Sequence, residues 1–325
     1  MHPGYHAAVN GLALADGGDR AWLDLRGADG ADFLQRVLAS DLRQVAAGGG
    51  QWSALLDGQG HWIADLLLYR SGTAAEEVFG LDLDSTLATT FANRFDQLRF
   101  GERLTWSDPS IQPARLLLLG PGGPAAVTAQ GLTPPPDCDG YGILRQDVWV
   151  LLRRPDRGTP CLELLGSGER VRALQQALVQ AGAAPADREV LETLRIEAFI
   201  PRFGADFDAE VILPVSGEWR RASVKKGCYS GQEVVARINT YGEAPRQLCQ
   251  LHSESGADLL GAELKDEAGK SVGTVSSWAL SPRLGHGVGL GTLRRRAAVS
   301  GARLVAIRGN LRVPLRVTVP VKQLG

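Results

Sequence analysis

At 325 residues and roughly 150 residues per typical domain, the chain has length for two units, or three if one is small. Apolar residues are 44% and charged residues 22%, a balance that supplies sizeable cores and excludes a disordered chain. Thirty-five basic against thirty-six acidic residues leave a net charge of −1, which excludes a uniformly basic nucleic-acid binder but not a local basic patch.

In chain order, residues 1–16 carry neither a basic region nor a sustained apolar stretch, so they do not read as a secretory signal. His2 and His6 have metal-like spacing, but on a frayed terminus without a nearby carboxylate. Residues 21–26 read as a strand. Phe33, Leu34, Val37 and Leu38 then repeat at helical spacing. Gly48-Gly49-Gly50 breaks the chain before two β-like runs, 51–56 and 62–69, joined through Asp57-Gly58-Gln59-Gly60 as a hairpin. After a third run at 78–83, Leu87, Phe91, Phe95 and Leu98 place one apolar stripe on a second helix. A similar passage follows, with strands at 115–119, 149–152 and 161–165 and helices at 125–130 and 171–179. A further helix runs from 188 to 198 with Asp187 as N-cap, ended by Pro201.

Beyond Pro245 the pattern becomes short apolar runs separated by glycine and polar turns, at 248–251, 272–275, 288–290, 304–307 and 313–319. No helical stripe appears there, and the runs predict a small antiparallel barrel. The fold class is therefore α+β: two ferredoxin-like subdomains and a C-terminal antiparallel β-barrel. The expected units are 1–110, 111–244 and 245–325, the first two intertwined.

No apolar run reaches the roughly 18–20 residues of a membrane span. Cys138, Cys161, Cys228 and Cys249 are far apart, with no pair at the spacing of a zinc or redox site. The expectation is a reduced, cytoplasmic protein with no membrane partner and no metal.

The stretch richest in chemistry is Lys225-Lys226-Gly227-Cys228-Tyr229-Ser230-Gly231-Gln232-Glu233. Cys228 lies between glycines, two lysines precede it, and a helix opening at Gln232 would set its positive end against the thiol, all of which favour a thiolate. The competing reading is a small hydrophobe in a tight turn. Asp65 sits in a strand whose alternation places it with Ile63, Leu67 and Tyr69. A carboxylate there either binds something or marks an exposed edge. Glu197, near the end of its helix, reads from spacing alone as a solvated residue.

Lys226-Gly227-Cys228-Tyr229-x-Gly231-Gln232-Glu233, continuing through Val235-Ala236-Arg237, resembles the signature of the YgfZ family of folate-binding proteins, relatives of the glycine cleavage T-protein. Weaker likeness covers 54–69, 194–204 and the plan of nearly the whole chain. The resemblance implies a three-domain ring around a central hole that takes tetrahydrofolate or a one-carbon derivative. It also implies a role in assembling or repairing iron–sulfur clusters, with iron–sulfur enzymes, including tRNA-modifying ones, or assembly proteins as partners. Asp65, Glu197, Tyr229, Gly231, Gln232 and Arg237 are then the folate-binding set, with Cys228, Lys226 and Asp65 carrying any chemistry. T-protein has an Asp-Asp pair in the strand of Asp65; Ala64 occupies the first position here. Phe199 and Ile200 stand where relatives have glycine. An anionic folate tail would need a basic residue near the mouth, for which Arg220, Arg221, Lys225 and Arg237 are candidates. The alternative is a folate-dependent aminomethyl transferase of T-protein type; a scaffold that has lost its ligand is a third reading.

Other apparent motifs fail on spacing. Gly269-Lys270-Ser271 lacks the first glycine of a phosphate loop and reads as a hairpin turn. Gly285-x-Gly287-x-Gly289-x-Gly291 lacks dinucleotide-site spacing. No G-x-S-x-G elbow occurs. Arg294-Arg295-Arg296 reads as a solvated turn, with direct RNA contact as the alternative.

Overall fold

The computed structural model describes residues 2–73, 76–155 and 157–320. It is a mixed α+β structure with two sheets of ferredoxin-like type and a closed six-stranded antiparallel barrel.

The first sheet has the order Gly50–Leu56, Trp62–Thr73, Glu76–Asp84, Arg20–Arg26, Thr105–Trp106, all antiparallel. The helices Gly30–Val37 and Ala88–Leu98 cover one face, burying Phe33, Phe91 and Phe95 against Leu66 and Leu68. The stripe at 87–98 thus packs as its periodicity predicts.

The second sheet has the order Ala184–Pro185, Ala13–Asp16, Ala114–Leu119, Cys161–Gly166, Trp149–Arg154, Gly142–Gln146. Its helices Gly123–Ala129 and Gly168–Gln180 bury Val127, Val171, Leu174 and Leu178 against Leu116 and Leu164. On its other side lie Pro3–Asn10 and Arg188–Glu197, through Tyr5, Ala8, Val190 and Leu194. Asp187 caps the latter helix by accepting from the Val190 amide.

The N-terminus departs from expectation. Residues 3–10 form a helix with Pro at its start and Tyr5 and Ala8 buried, and His2 lies 3.2 Å from Asp187 rather than on a free end. Ala13–Asp16 belongs to the second sheet, pairing with Leu116–Leu119 residue by residue. In the other direction, residues after 200 return to the first sheet. Phe207, Leu213, Trp219, Tyr229 and Val235 form one core with Ala54, Leu56 and Trp62.

The two sheets meet through the faces opposite the helix pairs Gly30–Val37 with Ala88–Leu98 and Gly123–Ala129 with Gly168–Gln180. Trp22, Trp52, Leu67 and Tyr69 pack against Ile143, Leu152 and Leu165, and the Tyr69 hydroxyl donates to the Arg153 carbonyl at 3.1 Å. The barrel runs Arg246–Ser253, Gly287–Arg294, Ser271–Leu280, Glu263–Lys265, Arg303–Arg308, Leu311–Thr318 and closes on itself. The three-residue strand Glu263–Lys265 was too short to stand out in the sequence. Gly269, at φ +77°, makes the hairpin turn after it. The barrel packs on Arg188–Glu197, where Ile196 is buried with Leu248, Val288 and Leu290.

Candidate functional site

Between the sheets and the segment 186–202 lies a cavity of about 330 Å³. Its wall includes Trp52 and Asp65 from the first sheet, Arg154 and Arg157 from the second, and Arg195 and Ile200 from the helix and the turn after it. Among the described residues no barrel residue lines it; the barrel acts one layer back, through Ser277, which accepts from Arg195 at 2.7 Å.

Asp65 reaches the wall because of strand alternation. Ala64, Leu66 and Leu68 turn to the helix-covered core, and Asp65 turns, with Leu67 and Tyr69, to the face opposing the second sheet. It is 3% exposed, so it does not mark a solvent edge. Its Oδ2 accepts from Arg221 Nη1 at 2.7 Å. Its Oδ1 is buried and has no hydrogen-bond donor among the described residues.

Arg221 was a candidate for the mouth of the hole. It is instead fully buried, 4.0 Å from the centre of the Trp52 ring, and it also donates to Glu218 at 2.7 Å. Burial pushes Glu218 up, but Arg221 and Arg220 prevail and hold its carboxyl below the ordinary range. Of the other candidates, Lys225 and Arg237 are exposed, and neither belongs to the cavity wall.

Glu197 is buried, but it too lies outside that wall. Its carboxylate accepts from Tyr5 Oη at 2.8 Å and from Ser281 Oγ, and pairs with Arg283 at 3.2 Å. These partners tie the N-terminal helix and a barrel hairpin to the end of Arg188–Glu197. On the cavity side of that helix stand Glu192 and Arg195, joined at 2.7 Å. Phe199 takes a positive φ of 51°, a left-handed position that favours glycine.

The cysteine motif forms a second locus. Cys228 is exposed, whereas Cys161 and Cys249 are buried and Cys138 is intermediate, all four as free thiols. Burial pushes the Cys249 thiol up to about 12. Lys226, expected beside the thiol, turns inward. Its Nζ donates to the carbonyls of Gln35, Leu38 and Ser40 at 2.5, 2.6 and 2.8 Å, filling the open end of the helix Gly30–Val37 with positive charge. Burial draws its pKa down to about 8. Tyr229 packs over this ammonium, 5.5 Å from ring centre to Nζ; its hydroxyl is buried without a partner and pushed up to about 12 by burial. Gly231, at φ +81°, precedes the helix Gln232–Tyr241, and a Cβ on it would stand 2.6 Å from the Asp57 carbonyl oxygen. Gln232 donates to the Lys226 carbonyl at 3.2 Å. Tyr229, Gly231 and Gln232 thus shape the loop that presents Cys228, and none of them lines the cavity.

The architecture and sequence have known counterparts. A family model described as the glycine cleavage T-protein C-terminal barrel domain matches residues 246–321. The aminomethyltransferase of Thermus thermophilus is 30% identical over 296 residues, covering 88% of this chain and 80% of that protein. The chain belongs to the aminomethyltransferase family. The aminomethyltransferases of Halalkalibacterium halodurans and of a Nostoc species are each 28% identical, covering 92% and 94% of this chain. The crystal structure of glycine cleavage system aminomethyltransferase T from Bartonella henselae superposes with a TM-score of 0.87 over 98% of this chain and 89% of that one, at 20% identity. The fold of that structure therefore extends over nearly the whole of this chain.

Among the described residues, no helix is long and apolar enough to cross a membrane. No cluster of His, Cys, Asp and Glu among them could hold a metal ion.

Proposed function

We propose that this chain binds tetrahydrofolate in the cavity between its two sheets and acts as a cytoplasmic, folate-dependent one-carbon transferase of aminomethyl type. The observation that carries this is the second carboxylate oxygen of Asp65, buried at the cavity wall with no donor. Leaving such an oxygen unsatisfied costs on the order of 1–3 kcal/mol, which a bound N–H or a positively charged amine would offset. Trp52 offers an aromatic face for a flat heterocycle, and the volume lies within the usual range for small-molecule sites. Tetrahydrofolate, when bound, supplies the reduced pterin nitrogens that carry a one-carbon unit. Asp65 then stabilises positive charge beside them, and Arg221 fixes its orientation from below.

Calorimetric titration with tetrahydrofolate, paired with an aminomethyl-transfer assay, tests this reading. Asp65→Asn should lower turnover by 10²-fold or more, on the order of the loss when a preorganised charge at the reacting centre is removed. Unchanged turnover in that variant would overturn it.

A second reading has its own observation: Cys228 is presented to solvent on a braced loop away from the cavity, and Ala64 replaces one T-protein carboxylate. These support a folate-binding accessory protein of the YgfZ type, serving iron–sulfur cluster assembly or repair. Folate binding without transfer, together with loss of iron–sulfur enzyme activity in cells carrying Cys228→Ser, would favour this reading over the first.

A further inference from the structure

Beside the cavity, where the sheets meet, lies a cluster of buried charges that the folate reading leaves unexplained. Asp82 and Glu163 are fully buried. Arg115 Nη1 lies 2.9 Å from Asp82 and 2.6 Å from Glu163. Arg154 Nη1 lies 2.6 and 2.8 Å from the same two carboxylates. Arg20 adds a third contact to Asp82, at 3.4 Å, and Arg157 acts on both acids through space. Among the described residues, four guanidiniums therefore surround two carboxylates.

Burial by itself would push both acids up, yet the arginines hold both below the ordinary range, so both carboxylates stay ionised among the guanidiniums. Buried charge without a counter-charge is costly. Arg20, Arg154 and Arg157 all line the cavity. Arg157 is the incomplete member: its Nε and Nη2 are buried and lack an acceptor among the described residues. Nε and an Nη form the edge that grips a carboxylate with two parallel hydrogen bonds. Three described acids on the same stretch of wall, Asp16, Asp84 and Asp19, are engaged elsewhere or face water. Asp16 accepts from Gly18, Asp84 from Thr86, and Asp19 is exposed.

We infer that the Arg20–Arg154–Arg157 corner is a carboxylate-binding subsite of the cavity, with Arg157 as its bidentate donor. Asp65 and this corner make one cavity with a cation-seeking and an anion-seeking wall. The inference rests on the cavity being the ligand site, and the carboxylate belongs either to the folate itself or to a small carboxylate that shares the cavity with it.

The test uses the full chain and Arg157→Gln, titrated calorimetrically with tetrahydrofolate and with tetrahydropteroate, which lacks the glutamyl carboxylates. Thermal unfolding with L-glutamate alone is measured in parallel. If the carboxylate is the folate's own, the native protein prefers tetrahydrofolate by roughly 10–100-fold, the value of a charge-assisted hydrogen bond. Arg157→Gln then removes that preference while leaving tetrahydropteroate affinity unchanged. If it is a separate molecule, L-glutamate raises the melting temperature of the native protein and not of Arg157→Gln. Equal binding of both pterins, with no response to L-glutamate and no effect of the substitution, overturns the subsite but leaves the folate reading standing. Failure of both pterins to bind, with glutamate stabilisation that needs Arg157, overturns the folate reading but not the subsite. Circular dichroism checks the fold, and Arg157→Lys, which keeps the charge without the fork, should retain only part of the effect.

Discussion

Arg221 and Asp65, 156 positions apart in the chain, form a 2.7 Å ion pair with the guanidinium fully buried. The same guanidinium lies on the face of Trp52 and bonds Glu218, so one side chain anchors the cavity wall to the segment that leads into the cysteine motif.

Arg221→Met should therefore destabilise the protein by about 3–5 kcal/mol, because it strands the buried Asp65 carboxylate and leaves Glu218 with Arg220 alone. Urea unfolding measures this, and Asp65→Asn added to the same chain should recover part of the loss. A single variant as stable as the native protein would show that the pair is not integral to the fold.

Glu197→Gln should cost about 1–3 kcal/mol of stability, since the carboxylate serves Tyr5, Ser281 and Arg283. Tetrahydrofolate affinity should stay within a few-fold of the native value. A large affinity loss at unchanged stability would place Glu197 in the ligand site after all.

Alkylation read site by site by mass spectrometry should label Cys228 first. Cys249, buried and with its thiol pushed up to about 12, should react only on unfolding. Labelling of Cys249 ahead of Cys228 in native buffer would contradict the structure.

Gly231→Ala forces a Cβ onto a left-handed residue that already touches the 57–60 hairpin. The backbone alone costs about 1–2 kcal/mol, and the contact with the Asp57 carbonyl adds to it. A chemical-denaturation midpoint equal to the native one would mean that the loop relaxes freely.

Acid should destabilise the fold through Asp82, Glu163 and Glu218, all held below the ordinary carboxyl range in the folded state. Their unfolded counterparts titrate at about 4. As the pH falls below that point the unfolded chain takes up protons first, so their contribution, fully present above it, drains away toward the folded values. The steepest fall in the urea midpoint should lie below about pH 4; a midpoint that rises there would reverse the sign.

Local periodicity made much of this readable from the chain. The stripe of Leu87, Phe91 and Phe95 specified its helix, and alternation about Asp65 specified which face the carboxylate takes. The glycines around Cys228 foretold a loop, and the loop does expose the thiol. Partnerships across sheets were not readable, because strand alternation shows that Asp82 or Glu163 points inward but not which arginine, dozens of residues away, meets it. Arg221 looked like a surface cation for the same reason. Lys226 looked like a neighbour of the thiol because it is one in sequence, whereas its four-carbon stem carries the charge to a helix end some 190 positions earlier.

Ala13–Asp16 also sets an order of events during synthesis. This strand needs Leu116–Leu119 on one side and Ala184–Pro185 on the other, so it must wait while some 100 residues follow it from the ribosome before its first neighbour appears, about 5–20 s at ordinary elongation rates, and some 70 more before its second. The five-stranded sheet, built wholly from residues 20–106, can assemble in that interval with the strand still unpaired before it. The newborn chain therefore passes through a stage in which the first sheet has paired while the apolar Ala13-Leu14-Ala15 ahead of it still lacks both of its neighbours.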